Sequence, residues 1–133
     1  MKVLVDTSVW SLALRRRKKR DNDIASRLAM LVEDGLVAII GPIRQELLSG
    51  IRERAQFERL REHLRAFPDT PLTVDDYEQA AAFSNDCRVR GIQGSNTDFL
   101  ICATAVRNDF PIFTMDDDFS RFAEVLPIAL HPL

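Results

Sequence analysis

Four acidic residues, far apart in the sequence, have the side chains expected of a site for a divalent metal ion: Asp6, Glu46, Asp98 and Asp116. No cluster of cysteines or histidines accompanies them, and carboxylates alone favour a hard cation such as Mg²⁺ or Mn²⁺ over zinc or copper. Such an ion orients a phosphodiester, activates a water molecule and neutralises charge on the leaving oxygen. Without an ion, two carboxylates about 4 Å apart would repel by about 4 kcal/mol at an effective dielectric constant of about 20.

Two of these acids follow short apolar runs that we interpret as buried strands. Asp6 directly follows residues 3–5, and Asp116 comes two residues after the run at 111–114. In open α/β sheets, ligands bind beyond the carboxyl ends of the strands. Both aspartates are therefore predicted to lie at the binding edge, and they meet if the two strands are neighbours.

The other two acids are predicted to lie on helices at the same edge. Glu46 comes one turn into a helix that begins at Gly41-Pro42, after an apolar strand at residues 36–40. Asp98 starts a nearly all-apolar helix that leads into the strand at 111–114. Because helices that follow strands in such folds begin at the carboxyl edge, the four acids are expected at one end of the sheet.

Each acid also has a simpler explanation when it is taken alone. Asp6 and Asp98 could cap helices, Glu46 could lie on a solvated helix face, and the three aspartates at 116–118 could form a polar turn. The joint pattern favours a site, since four independent accidents would have to share one edge.

Size and composition indicate one globular domain over residues 1–133. The chain is 46% hydrophobic and 29% charged with a net charge of −2, so a nucleic-acid site would need a local basic patch. Cys87 and Cys102 lack metal-site spacing and are predicted to be buried, reduced thiols. No apolar stretch approaches the roughly 18 residues of a membrane span, and the first apolar run is too short for a signal peptide. We therefore expect a cytoplasmic protein that does not enter the membrane.

The order of elements predicts an α/β fold with a parallel sheet. The expected order is β-α-α-β-α-α-β-α-α-β-α-β, and the strands are short and apolar with little alternation, as in parallel sheets covered on both faces. The predicted strands are 3–5, 36–40, 71–74, 111–114 and 128–130.

Four short motifs resemble those of the PIN-domain ribonucleases, and most closely the VapC-type toxins of toxin–antitoxin pairs. They are VLVDTS at 3–8, ELLSG at 46–50, DFLICA at 98–103 and TMDDDF at 114–119. Each is weak alone, but all four occur in the family's order over nearly the full length. Cys102 stands where the family usually has alanine.

The resemblance implies a three-layer α/β/α fold with strand order 3-2-1-4-5 and a Mg²⁺- or Mn²⁺-dependent endoribonuclease. It implies catalytic roles for Asp6, Glu46, Asp98 and Asp116, and metal ligation by Asp6, Asp98, Asp116 and Asp118. Asp118 is the less regular ligand of the set. The hydroxyls of Thr7, Ser8 and Thr114 are expected to hydrogen-bond a carboxylate or a metal-bound water. The expected partners are an RNA substrate, a VapB-type antitoxin and a second copy of the chain.

A basic run is the other unusual feature of the sequence. It could be a solvated loop, or it could bind RNA phosphates beside the acids. The run consists of Arg15, Arg16, Arg17, Lys18, Lys19 and Arg20.

Other families and a non-catalytic alternative fit less well. A haloacid-dehalogenase-type phosphatase needs a second aspartate two residues after Asp6, where this chain has Ser8, and the acids of a response-regulator receiver are not evident. A PIN-like module that only binds RNA or protein is expected to lack one of the four acids, and none is missing.

Overall fold

The centre of the fold is a parallel sheet with β1 (Val3–Val5) as its middle strand. The computed structural model describes residues 1–15 and 19–133. Val3 pairs with Val37 of β2 (Val37–Ala38), and Val5 pairs with Phe113 of β3 (Ile112–Phe113). The order β2-β1-β3 makes β1 and β3 neighbours, so the residues that follow these two strands meet at one edge.

Helices make up most of the described chain. α1 packs against α2 and α3, α3 against α4, α5 against α6, and α6 against β3. The helices are α1 (Thr7–Arg15), α2 (Lys19–Glu33), α3 (Gly41–Ser49), α4 (Arg54–Leu64), α5 (Val74–Val89), α6 (Asn96–Asn108) and α7 (Asp118–Ala123). None of the described helices is long and apolar enough to cross a membrane.

The prediction of five strands is wrong, because the described residues form three. On the β2 side, only a single parallel bridge joins Ile39 to Asp69. The run at 71–74 cannot extend it: Pro71 has no backbone N–H for a ladder, and Thr73 caps α5, which begins at the next residue. The predicted strand order therefore holds only for the inner three strands.

The last predicted strand, 128–130, is also reduced to one parallel bridge, between Ile112 and Leu130. The Ile112 N–H donates to the Ala129 carbonyl and the His131 N–H donates to the Ile112 carbonyl, both at 2.8 Å. Prolines at 127 and 132 flank this contact and lack the donors that a longer ladder requires.

An ion pair between a buried carboxylate and a partly exposed guanidinium joins two of the helices. Asp76, in the first turn of α5, is 1% exposed. Arg107, near the end of α6, donates from Nε to Oδ1 at 2.6 Å and from Nη2 to Oδ2 at 2.8 Å. The hydrogen bond from Arg107 holds the pKa of Asp76 below its usual range, against the opposing effect of burial. The pair ties α5 to α6 away from the acids predicted to form the site.

Candidate active site

The carboxyl edge of β1 and β3 carries Asp6, whose side chain two hydroxyls hold in place. Asp6 is 5% exposed, and its Oδ2 accepts hydrogen bonds from Ser8 Oγ at 2.7 Å and Thr114 Oγ1 at 2.8 Å. The same hydroxyls accept from the backbone N–H groups of Met115 and Asp116. This network fixes the Asp6 carboxylate between α1 and the segment after β3.

Asp116 follows β3 and lies on the same edge. Its Oδ1 accepts from the backbone N–H of Asp118 at 2.9 Å. The Asp118 side chain instead bonds to Arg121, one turn along α7. Asp118 therefore contributes its backbone to the position of Asp116, while its own carboxylate already has a cationic partner.

Asp98 lies in the first turn of α6, where Ser95 is the N-cap. Its Oδ2 accepts from the Ser95 N–H at 3.0 Å, and its own N–H donates to Ser95 Oγ at 3.1 Å. Burial raises the pKa of Asp98, and the charges of Asp6 and Asp116 raise it further, while the hydrogen bonds from Ser95 lower it. The three aspartates are thus close enough for their charges to interact.

Glu46 reaches the same end of the sheet from the exposed side of α3. Its Oε1 accepts from Thr7 Oγ1 at 2.8 Å, and Thr7 is the residue after Asp6. Proline at position 42, in the first turn of α3, and the buried Ile43 and Leu47 set the helix orientation that turns Glu46 outward.

These four carboxylates share one feature: within the described part of the chain, each accepts hydrogen bonds on one oxygen only. No described donor reaches the other oxygen of Asp6, Glu46, Asp98 or Asp116, and none of the described ion pairs involves them. The four carboxylates are nevertheless widely spaced. Among the described residues, no three histidine, cysteine, aspartate or glutamate side chains lie close enough to ligate one ion.

A buried thiol lies behind the acids on α6. Burial raises the pKa of Cys102, and the Asp98 carboxylate one turn away raises it further. The group therefore stays a neutral thiol, and the oxygens of the carboxylates are the ligands that the site offers to a metal. Cys87 is also buried, and both cysteines are free, as predicted.

The predicted site residues thus fall into three groups. Asp6, Asp98 and Asp116 lie near enough for their charges to interact, and Glu46 is linked to this end of the sheet through Thr7, whereas Asp118 is paired with Arg121. The basic run lies outside the description: the structure does not describe residues 16–18 or the side chains of Arg15, Lys19 and Arg20. Sequence reasoning missed Ser95 and Arg121. The Ser-x-x-Asp spacing at 95–98 is typical of a capping box, and the Asp-x-x-Arg spacing at 118–121 is typical of an ion pair within a helix.

Solved structures with the same fold include a toxin–antitoxin complex from Klebsiella pneumoniae. A chain of VapBC2 from Rickettsia felis, bound to a promoter DNA fragment, is 18% identical with a TM-score of 0.78, covering 98% of each chain. A chain of FitAcB from Neisseria gonorrhoeae is 22% identical with a TM-score of 0.77, covering 98% of this chain and 96% of that one. A chain of VapBC-1 from Haemophilus influenzae is 17% identical with a TM-score of 0.76, covering 98% and 97%.

At these identities the structures establish a shared fold. No curated protein sequence matches this chain significantly. The family model described as the PIN domain matches residues 3–125, which is most of the chain and contains all four acids. The chain therefore belongs to the PIN domain family.

Proposed function

We propose that this chain is a metal-dependent endoribonuclease and the toxin of a VapBC-type pair. The observation that supports it best is the group of four carboxylates, each with one oxygen held by the protein and one left for another ligand. A group of like charges with no described cationic partner is costly unless a cation binds there.

The donor chemistry fits Mg²⁺ or Mn²⁺. All the available ligands are carboxylate oxygens, and Mg²⁺ in phosphoryl-transfer sites usually takes only one or two carboxylates and keeps several waters. A widely spaced group suits this mode of binding. Asp6, Asp98 and Asp116 are the candidate ligands, and one or two of them would contact the ion directly while the others contact its bound waters, since no three described carboxylates lie close enough to ligate one ion. Asp118 would be a weaker ligand because Arg121 competes for it.

The neighbouring side chains position the acids for catalysis. Ser8 and Thr114 orient Asp6, Thr7 orients Glu46, and the Ser95 N–H orients Asp98. A bound ion would activate a water and neutralise charge on the scissile phosphate. Losing one orienting hydroxyl typically lowers metal affinity or activity by about 10- to 100-fold.

The solved structures with this fold suggest the biological setting. The VapBC complexes pair a toxin with an antitoxin, which supports a VapB-type partner for this chain. We propose that the antitoxin places a basic side chain among the acids, because a guanidinium can bind a carboxylate through two hydrogen bonds. A homodimer in the cytoplasm is part of the same proposal. A complex whose acidic edge is open to solvent would contradict the blocking mechanism.

Cleavage of RNA by purified variants tests the enzyme. Replacing Asp6, Asp98 or Asp116 by Asn, or Glu46 by Gln, should lower Mg²⁺- or Mn²⁺-dependent cleavage by about 100-fold or more, since several kcal/mol of charge stabilisation is lost. Asp118→Asn should have a milder effect, and Asp34→Asn is the matched control, because Asp34 is exposed in the turn before β2, at the opposite end of the sheet. Undiminished cleavage in all four variants would rule out this site. No metal-dependent cleavage by the wild-type chain would favour a binding module.

Binding to RNA tests the basic run. Arg16, Arg17 and Lys18 replaced by Ala, in an Asp98→Asn background, should weaken binding to many RNAs alike. The slope of log affinity against log salt should flatten by roughly 0.7 for each lost phosphate contact. Unchanged affinity and slope would mean that the RNA follows another path.

A further inference from the structure

A cleft of about 620 Å³ opens beside the acids and continues past Asp116. Ser8 and Thr114, which hold Asp6, are part of its lining, and so are Leu130 and His131 near the end of the chain. The volume lies within the roughly 300–1,000 Å³ of small-molecule sites. A group bound in this cleft would therefore lie next to whatever the four carboxylates bind.

The charge of the cleft argues against a phosphate as its occupant. Its lining contains the carboxylates of Asp116 and Asp117 and contains no lysine or arginine among the described residues. Phosphates bind where arginine, lysine or backbone N–H groups converge. The cleft suits an uncharged group that has both an apolar face and hydrogen-bonding edges.

His131 supplies a flat wall held in a fixed position. Its backbone N–H donates to the Ile112 carbonyl at 2.8 Å, and its ring packs on Phe113 with the ring centroids 5.1 Å apart. Burial lowers the pKa of His131, and the charge of Arg27 lowers it further, so both effects favour the neutral imidazole. Neutral aromatic side chains of this kind stack on the unpaired bases of single-stranded RNA.

We propose that this cleft binds a nucleobase adjacent to the phosphate held at the acids, with the base stacked against His131. The inference rests on the proposed ribonuclease function and names the part of the substrate that this surface recognises. Met115 and Leu130 line the cleft with apolar side chains, and Asp117 and Ser120 line it with a carboxylate and a hydroxyl.

The acidic edge also predicts which bases bind. A carboxylate accepts hydrogen bonds and donates none, so Asp117 favours bases that carry an exocyclic amino group. Adenine, cytosine and guanine have such a group, whereas uracil presents two carbonyl oxygens beside its single N–H. The cleft should therefore disfavour uracil.

Nuclear magnetic resonance of the two histidines tests the inference without requiring catalysis. The chain has only His63 and His131, and His63 lies on the exposed side of α4, so it is an internal control. Adenosine, cytidine, guanosine and uridine, which carry no phosphate, are added to the chelator-treated protein. The His131 ring signals should shift with the first three and less with uridine, while those of His63 stay fixed.

Variants test the contacts of His131 and Asp117 with the base. They also distinguish failure of the nucleobase proposal from failure of the ribonuclease proposal. His131→Ala should weaken adenosine binding about tenfold, His131→Phe should keep it, and Asp117→Asn should remove the discrimination against uridine. In RNA cleavage, His131→Ala should raise KM about tenfold with kcat nearly unchanged. Ring signals that do not move, or that move equally for both histidines, would overturn the inference even if the chain cleaves RNA. A His131 shift in a chain that cleaves no RNA would preserve the nucleobase cleft and reject the ribonuclease.

Discussion

Asp76 and Asp98 occupy the same position in two helices that pack together, yet their surroundings are opposite. Each is the third residue of its helix, and each closes a capping box, with Thr73 in α5 and with Ser95 in α6. Arg107 neutralises Asp76 and lowers its pKa. Asp98 has no described cationic partner, and burial together with Asp6 and Asp116 raises its pKa.

The difference shows how one local motif serves two purposes. The capping box satisfies backbone N–H groups in both helices and so fixes both carboxylates. The other contacts of each carboxylate decide whether the aspartate stabilises the fold or stays available to a ligand. The oxygens of Asp76 are occupied by Arg107, which comes from the last turn of the same helix that carries Asp98 in its first. The comparison predicts that Asp76 stabilises the fold and that Asp98 costs stability until a cation binds.

Metal binding should produce the largest effect. Mg²⁺ or Mn²⁺ at 100 times its Kd should stabilise the folded wild-type chain by about 2.7 kcal/mol, because the ion binds only the folded state. Asp76→Asn should show the same gain over its own metal-free stability, and Asp98→Asn a much smaller one. Thermal unfolding at several metal concentrations measures this. Equal gains in stability in the two variants would show that Asp98 contributes no more to metal binding than Asp76 does.

The second-largest expected effect is on stability in the absence of metal, where substitutions of the two aspartates should have different effects. At pH 7 in chelator, Asp76→Asn should lower the free energy of unfolding by about 2 kcal/mol, the usual value for a lost charge-assisted hydrogen bond. Asp98→Asn should leave it unchanged or raise it, because the amide oxygen still accepts from Ser95 while the repulsion from Asp6 and Asp116 disappears. Urea unfolding of both variants gives the answer, and a similar loss in each would contradict it.

The pH dependence of these differences should be smaller and opposite in sign. The folded-state pKa of Asp76 lies below 3.8, so its contribution is present above pH 3.8 and is lost as the pH falls through the folded-state value. The folded-state pKa of Asp98 lies above 3.8, so its contribution is favourable below pH 3.8 and is lost as the pH rises through the folded-state value.

Metal-free urea unfolding between pH 2.5 and 7 tests this sign. The deficit of Asp76→Asn relative to wild type should shrink on acidification. Any advantage of Asp98→Asn should vanish below about pH 3.8, where both carboxyls are protonated in the unfolded chain. Parallel profiles for the two variants would show that their surroundings do not differ as described.

Much of the local structure could be predicted from sequence. The apolar run at 3–5 forms β1, Gly41-Pro42 opens α3, and the apolar segment after Asp98 forms α6, each close to its expected bounds. The absence of strands at 71–74 and 128–130 could not be predicted. The segment 71–74, Pro-Leu-Thr-Val, is compatible both with a short strand and with a helix that Thr73 caps, since both patterns are locally consistent.

The sequence alone determined the identity and spacing of the acidic residues. The Thr-x-x-Asp and Ser-x-x-Asp spacings at 73–76 and 95–98 also encode the two capping boxes, which were recognised only in the structure. Those features depend on spacing within one turn of a helix, which short stretches of chain encode. Only the tertiary structure decided that Asp76 meets Arg107 while Asp98 meets Asp6 and Asp116. Electrostatic environment depends on which distant segments pack together, and here the parallel pairing of β1 with β3 brings Asp6 and Asp116 to the start of α6.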